Sequence, residues 1–328
     1  MEHDARPGQG PVPPSPVTLD PVVARLVAAS ATPPGLDDLG PDTGRQALRE
    51  VQGDLVEDCE VETRFRVAPV GPRGLVGFWT FRPIGAEGPL PTLLYVHGGR
   101  WMLGDAHTHA RLITDLVKAA GAVAVVPEYS RTPEARYPVA LEECYALLGW
   151  IAAHARSLGV APDRIAVAGD CAGATLAIGV TMLAKTRGGP SIRAQLLYYP
   201  LVDPVCDTES QHRFGSGYLL GREALRRYWR EYLGPSGNRE QPTASPLSAD
   251  PALLAGLPPA LVVTAEADVS RDEAEEYAAR LRAAGVRASA VRFLGTVHDF
   301  VSLNALRDSP PSRAALRQGG GFLRAHLA

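Results

Sequence analysis

The stretch that most restricts the fold is Arg164-Ile-Ala-Val-Ala-Gly-Asp-Cys-Ala-Gly-Ala-Thr-Leu-Ala177. Ile165 to Ala168 is a short apolar run and reads as a buried strand. Ala172 to Lys185, rich in Ala, Leu and Ile, reads as a helix. Between them Gly169-Asp170-Cys171-Ala172-Gly173 has the form of a G-x-S-x-G turn with cysteine in the serine position. A Cβ on either glycine would collide with the neighbouring strand or helix, so both glycines have a steric reason. The bend lifts Cys171 to the top of a sheet and aims the first N–H groups of the helix at whatever faces the sulfur. Alone, the motif fits a buried structural thiol equally well, so the rest of the chain decides its meaning.

Buried strands and helices alternate through most of that chain. Asp20 to Ala29 has helical spacing with Asp20 as its N-cap, and Thr43 to Val51 is a second short helix. Glu60 to Val67 and Gly74 to Arg82 alternate apolar and polar residues, as an antiparallel hairpin does. Thr92 to Val96, Ala122 to Val126, the strand before Cys171, Ala194 to Tyr199, Ala260 to Ala265 and Ala288 to Phe293 follow as strands. Ala110 to Ala120, Pro138 to Ser157, Asp272 to Ala284 and Arg313 to His326 are the intervening helices. Leu201 to Gly237 breaks this rhythm with a helix near Glu223 to Leu233. It carries Tyr218, Tyr228, Trp229 and Tyr232, aromatics that suit either a core or a pocket mouth. The expected fold class is α/β: a mainly parallel central sheet with helices on both faces, preceded by a hairpin.

Composition narrows the function. The 328 residues are 45% hydrophobic, enough for a large core, and the net charge of −3 offers no basic field for nucleic acid or an anionic membrane. No run approaches the ~20 apolar residues of a membrane span. Met1 to Pro16 is Pro-rich without an apolar signal core, which predicts a disordered terminus over 1–18 and a cytoplasmic protein. Cys59, Cys144, Cys171 and Cys206 are scattered, without metal or disulfide spacing, which suits a reducing compartment. No metal and no cofactor are expected.

In open α/β sheets, reactive groups collect beyond the carboxyl ends of the strands. Those positions hold His97-Gly98-Gly99-Arg100, Cys171, Glu266-Ala267-Asp268 and Gly295-Thr296-Val297-His298. The order nucleophile, acid, histidine is that of a Cys171, Asp268, His298 triad. Cys171 would attack a carbonyl carbon. A free thiol has a pKa near ~8.5, so His298 is needed to take its proton and return it to the leaving group. Asp268 would fix the tautomer of His298, although it could equally be a helix N-cap, and Asp272 is a rival acid. Backbone N–H groups of Gly99, Arg100 and Ala172 would hold the oxyanion, with Gly98 giving the loop clearance; one such donor is worth roughly 2.7–4 kcal/mol.

These residues resemble the hormone-sensitive-lipase-like family of α/β-hydrolases, bacterial carboxylesterases with an H-G-G-G loop and a G-D-S-A-G-G elbow. Leu19-Asp-Pro-Val-Val-Ala-Arg-Leu resembles the family's N-terminal cap helix. Pro127-Glu-Tyr-Ser-Arg-Thr-Pro-Glu134 is similar to its Y-R-L-A-P-E block, and Tyr137 to Cys144 to the helix that follows. Asp268-Val-Ser-Arg-Asp-Glu273 stands where the family has D-P-L-R-D-E, and Gly295 to Phe300 where it has G-x-x-H-x-F. The resemblance gives the acid role to Asp268 rather than Asp272. It implies an α/β-hydrolase core over 53–328, with cap helices at 19–52 and a cap insertion at about 201–237. Two departures stand out: serine is Cys171, and the third loop glycine is Arg100. Cysteine suits thioesters, activated esters or acyl transfer better than plain ester hydrolysis. The Arg100 side chain would be a fixed cation for a carboxylate or an enolate, unless it faces solvent or pairs with an acid such as Asp105.

The leading expectation is a cysteine-dependent hydrolase or acyltransferase acting through acyl-Cys171 on an ester, thioester or lactone of a small, secondary metabolite. Arg100, Trp101 and Tyr218 are its substrate-binding candidates. Two alternatives remain. One is a lyase on the same scaffold, with His298 as base and Arg100 stabilising the anion. The other is a non-catalytic ligand-binding descendant. A homodimer is compatible with all three.

Overall fold

The computed structural model describes residues 17–53, 58–235 and 238–328. The predicted disorder over 1–16 lies outside them. Val17 and Thr18, assigned to that terminus, run instead along Gly295, and the Asp20 N–H donates to the Gly295 carbonyl at 2.8 Å.

One eight-stranded sheet organises the chain, in the order β1-β2-β4-β3-β5-β6-β7-β8. The hairpin is β1 (Val61–Ala68) and β2 (Val76–Pro83), and β2 runs antiparallel to β4 (Val123–Pro127). From β4 onward all pairing is parallel, through β3 (Leu90–Val96), β5 (Val160–Asp170), β6 (Gln195–Tyr198), β7 (Ala260–Ala267) and β8 (Ala288–Val297). Parallel strands need crossovers, and helices supply them: α3 (Ala110–Ala120), α4 (Val139–Ala153) with the one-turn α5 (Ala155–Leu158), α6 (Ala172–Thr186) and α10 (Arg271–Ala283). The interior strands are apolar along their length because both faces are covered, as in Leu93 to Val96 and Ile165 to Ala168.

Outside this frame lie α1 (Pro21–Ala29), α2 (Pro41–Gln52), α7 (Glu209–Arg213), α8 (Arg222–Leu233), the short α9 (Pro251–Leu254) and the closing α11 (Pro310–Leu327). Asp20 caps α1 as expected, its Oδ1 accepting the Val22 N–H at 2.9 Å. The helix predicted over Pro138 to Ser157 is broken at His154, whose Nδ1 lies 2.8 Å from the Trp150 carbonyl. The last strand runs past its predicted end at Phe293 to Val297, next to His298. The aromatics of α8 are buried: Trp229 and Tyr232 pack around Trp101, with Trp101 and Tyr232 stacked at 4.4 Å.

Candidate active site

The turn after β5 is built as its glycines require. A Cβ on Gly169 would lie 2.5 Å from the Gly173 carbonyl carbon, and one on Gly173 would lie 2.1 Å from the Val96 oxygen. Cys171 therefore sits at φ 52°, ψ −124°, a conformation that costs on the order of 1–3 kcal/mol and persists only where its surroundings impose it. Its N–H donates to the Tyr198 carbonyl of β6 at 2.9 Å, and α6 starts at the next residue.

His298 and Asp268 meet beside it. His298 Nδ1 is 2.8 Å from Asp268 Oδ2, and both side chains are fully buried. The second Asp268 oxygen accepts the Ser270 N–H at 2.8 Å, so the carboxylate is held at both ends. Burial by itself would lower the His298 pKa, but the charges of Asp268, Cys171 and Asp299 outweigh it and raise the pKa well above the usual value. The Cys171 sulfur, a ring nitrogen of His298 and a carboxylate oxygen of Asp299 all lie within 4.8 Å of one another. The rival acid Asp272 is elsewhere: it pairs with Arg271 and accepts the Ser210 N–H.

The loop after β3 carries most of the candidate donors. The Gly98 N–H is committed to Asp170 Oδ1 at 3.0 Å and is not a free donor. A Cβ there would reach 2.2 Å from Asp170 Oδ2, so Gly98 gives clearance rather than a donor. Gly99 at φ 109° could not carry a side chain either, since its Cβ would lie 2.5 Å from Leu103 backbone. Arg100 and Trp101 follow, also at positive φ. Among the described residues, no acceptor takes the N–H groups of Gly99, Arg100 or Ala172.

The Arg100 side chain is 5% exposed and does not reach Asp105, which pairs with Arg49. It lies between Asp37 (Nε to Oδ1, 3.3 Å) and Asp299 (Nη2 to Oδ2, 3.3 Å), 6.0 Å from the centre of the Tyr228 ring. The Tyr228 hydroxyl also donates to Asp37 Oδ1, at 3.1 Å. Arg100 thus joins the segment before α2 and the helix α8 to the histidine loop. Trp101 is enclosed by α8 aromatics, and half-buried Tyr218 packs edge-on against Phe214.

Three groups were not assigned from sequence. Asp170 is the clamp of the site: its Oδ1 also accepts the Tyr95 hydroxyl at 2.6 Å, and its Oδ2 lies 3.3 Å from His109 Nε2. Burial alone would raise the Asp170 pKa and lower that of His109, but the pair reverses both directions. Asp299 sits at φ 62° between Arg100 and His298, and Asp37 closes the arginine from the other side. Asp170, inside the Gly169 to Gly173 motif, and Asp299, next to His298, stood where a sequence signal could have pointed; Asp37 did not.

A family described as having the alpha/beta hydrolase fold matches residues 93–302. "Carboxylic ester hydrolase LipN" of Mycobacterium tuberculosis is 36% identical over 95% of this chain and 84% of its own length. "Carboxylesterase NlhH" of the same organism is 33% identical over 80% and 83%. Among solved structures, a thermostable esterase from Pseudomonas putida is 39% identical with a TM-score of 0.92, covering 96% of this chain and 99% of that one. An esterase from Pyrobaculum calidifontis gives 32% identity and a TM-score of 0.83, over 95% and 100%.

Proposed function

The chain belongs to the α/β-hydrolase fold family and is a hydrolase, and from that premise we propose that it is an esterase whose nucleophile is Cys171. The carrying observation is the fully buried His298–Asp268 pair, 2.8 Å apart, within reach of the Cys171 sulfur. The similar proteins named as carboxylesterases and esterases support a small-molecule carboxylic ester as the substrate class, with thioesters and lactones as the chemistry cysteine favours.

Asp268 holds the His298 proton on Nδ1, which leaves Nε2 to take the thiol proton as Cys171 Sγ bonds to the carbonyl carbon. The oxyanion is received by the N–H groups of Gly99, Arg100 and Ala172. Collapse breaks the bond to the leaving oxygen or sulfur, which takes the proton from His298. Water, or an acceptor alcohol, then gives its proton to His298 and attacks acyl-Cys171, releasing the acyl group and restoring the thiol. A thiolate leaves a tetrahedral intermediate more readily than an alkoxide, so good leaving groups gain most. The caps are α1, α2 and the α7–α8 segment, with Trp101 packed against α8 and Tyr218 against Phe214. Arg100, already matched by two carboxylates, acts through its backbone N–H and ties the cap to the histidine loop. For the same reason it has little charge to offer an enolate, which weakens the lyase alternative.

The test is a panel of p-nitrophenyl esters and acyl thioesters on wild type, Cys171→Ser and Cys171→Ala, with mass spectrometry of quenched enzyme. Expected are a thioester preference, an acyl adduct on Cys171 and loss of turnover in Cys171→Ala. Turnover without an adduct, or an active alanine variant, refutes the nucleophile.

A further inference from the structure

We propose that Cys171, His298 and Asp299 also form a binding site for a thiophilic divalent cation, above all zinc, and that the occupied site is an inhibited state of the enzyme. The proposal needs only the sulfur's position and stands whether or not Cys171 ever carries an acyl group.

Sulfur, imidazole nitrogen and carboxylate oxygen converge here from two loops, all within 4.8 Å of one another. Zinc bonds of about 2.3 Å to sulfur and about 2.0–2.2 Å to nitrogen and oxygen, at tetrahedral angles, separate the ligand atoms by about 3.4–3.6 Å. His298 Nε2 and Asp299 Oδ1 are already 3.6 Å apart, and the sulfur has at most about 1.2–1.4 Å to close.

The surroundings fit a metal-bound imidazole. His298 Nε2 is buried without a hydrogen-bond partner among the described residues. Its Nδ1 is fixed by Asp268, the carboxylate–histidine arrangement that orients metal-binding imidazoles. Arg100 engages Oδ2 of Asp299 and so turns Oδ1 toward the imidazole. The arginine's own charge, which would repel a cation, is balanced by Asp37 and Asp299. The donor set selects the metal: a thiolate and an imidazole favour zinc over magnesium or calcium, which demand oxygen.

Binding releases the thiol proton, together with any proton carried by His298 Nε2, to solvent and changes no oxidation state. It occupies both the sulfur and the nitrogen that acylation needs. A serine hydroxyl at the same position would be a far poorer ligand, so the cysteine itself creates this sensitivity.

The probe is cobalt(II), titrated into the full chain after chelator treatment and dialysis, because a cobalt–thiolate bond gives near-ultraviolet charge-transfer absorption. That absorption should saturate at about one equivalent and be displaced by zinc. Cys171→Ser should abolish it, and Cys59→Ser should leave it intact; Cys59 is exposed and is the candidate for adventitious binding. Asp268→Asn should weaken zinc binding about 10- to 100-fold, and Asp299→Asn by at least about tenfold. Absorption that is missing, or that survives Cys171→Ser, overturns the site, as does unchanged affinity in Asp299→Asn should the cysteine variant not fold. An acyl-Cys171 adduct without cobalt absorption would remove the metal site and leave the esterase standing. Cobalt absorption without an adduct would do the reverse.

Discussion

Asp170 permits a prediction in which hydrogen bonding and charge separate cleanly. Its Oδ1 is the sole described acceptor for two buried donors, the Gly98 N–H at 3.0 Å and the Tyr95 hydroxyl at 2.6 Å, while Oδ2 faces His109. Asp170→Ala strands both donors. Each unmet buried donor costs about 1–3 kcal/mol, so the loss should be about 4 kcal/mol. Asp170→Asn keeps an oxygen in the Oδ1 position and turns its NH2 toward His109. Neutral His109 can accept there while its Nδ1 donates to the Asp105 carbonyl, 3.2 Å away. Only the charge assistance is lost, about 1 kcal/mol. The Gly98 tether also positions the Gly99 and Arg100 N–H groups. Freeing it should cost about one oxyanion donor, on the order of 10²–10³ in kcat for alanine and under about tenfold for asparagine. Urea unfolding with ester kinetics on the same preparations reads both quantities. If the two variants lose equal stability and equal kcat, Asp170 is a buried charge and not a clamp.

Two further outcomes follow from buried charges. Removing Arg100 as Arg100→Met leaves Asp37 and Asp299 facing each other and should cost about 3–5 kcal/mol; adding Asp37→Asn should restore at least about 1 kcal/mol, and strictly additive urea midpoints would deny the clasp. Burial pushes the Glu273 carboxyl up to about 8 from 4.5, although it accepts the Val202 N–H and a Gln211 N–H. The folded state thus holds a proton that the unfolded chain gives up. Its stabilisation is full below pH 4.5, falls as pH rises and is gone above about 8, an effect on the order of 3–5 kcal/mol. Glu273→Gln should flatten the loss of melting temperature between pH 5 and pH 8, and parallel profiles would refute the assignment.

The parts of this protein legible along the chain are those governed by short-range rules. Apolar runs and helical spacing placed the strands and crossover helices, because a buried parallel strand can contain almost nothing but apolar residues. Gly169 and Gly173 marked the turn because backbone meets backbone there, and Cys171, Asp268 and His298 stood out as candidates because functional groups collect at strand ends. Spacing alone could not say whether Asp268 or Asp272 would meet His298, since both follow β7; in the fold Asp268 does, at 2.8 Å. Nor could it foresee that Gly98 would spend its N–H on Asp170, or that Arg100 would lie between Asp37 and Asp299. These partners are 72, 63 and 199 positions apart in sequence. Hydrogen bonds and ion pairs act over about 3 Å, so residues that far apart can be partnered only after the sheet has brought its strand ends together. Local chemistry singled out the candidate groups, and the assembled fold alone determined which neighbours each would answer to.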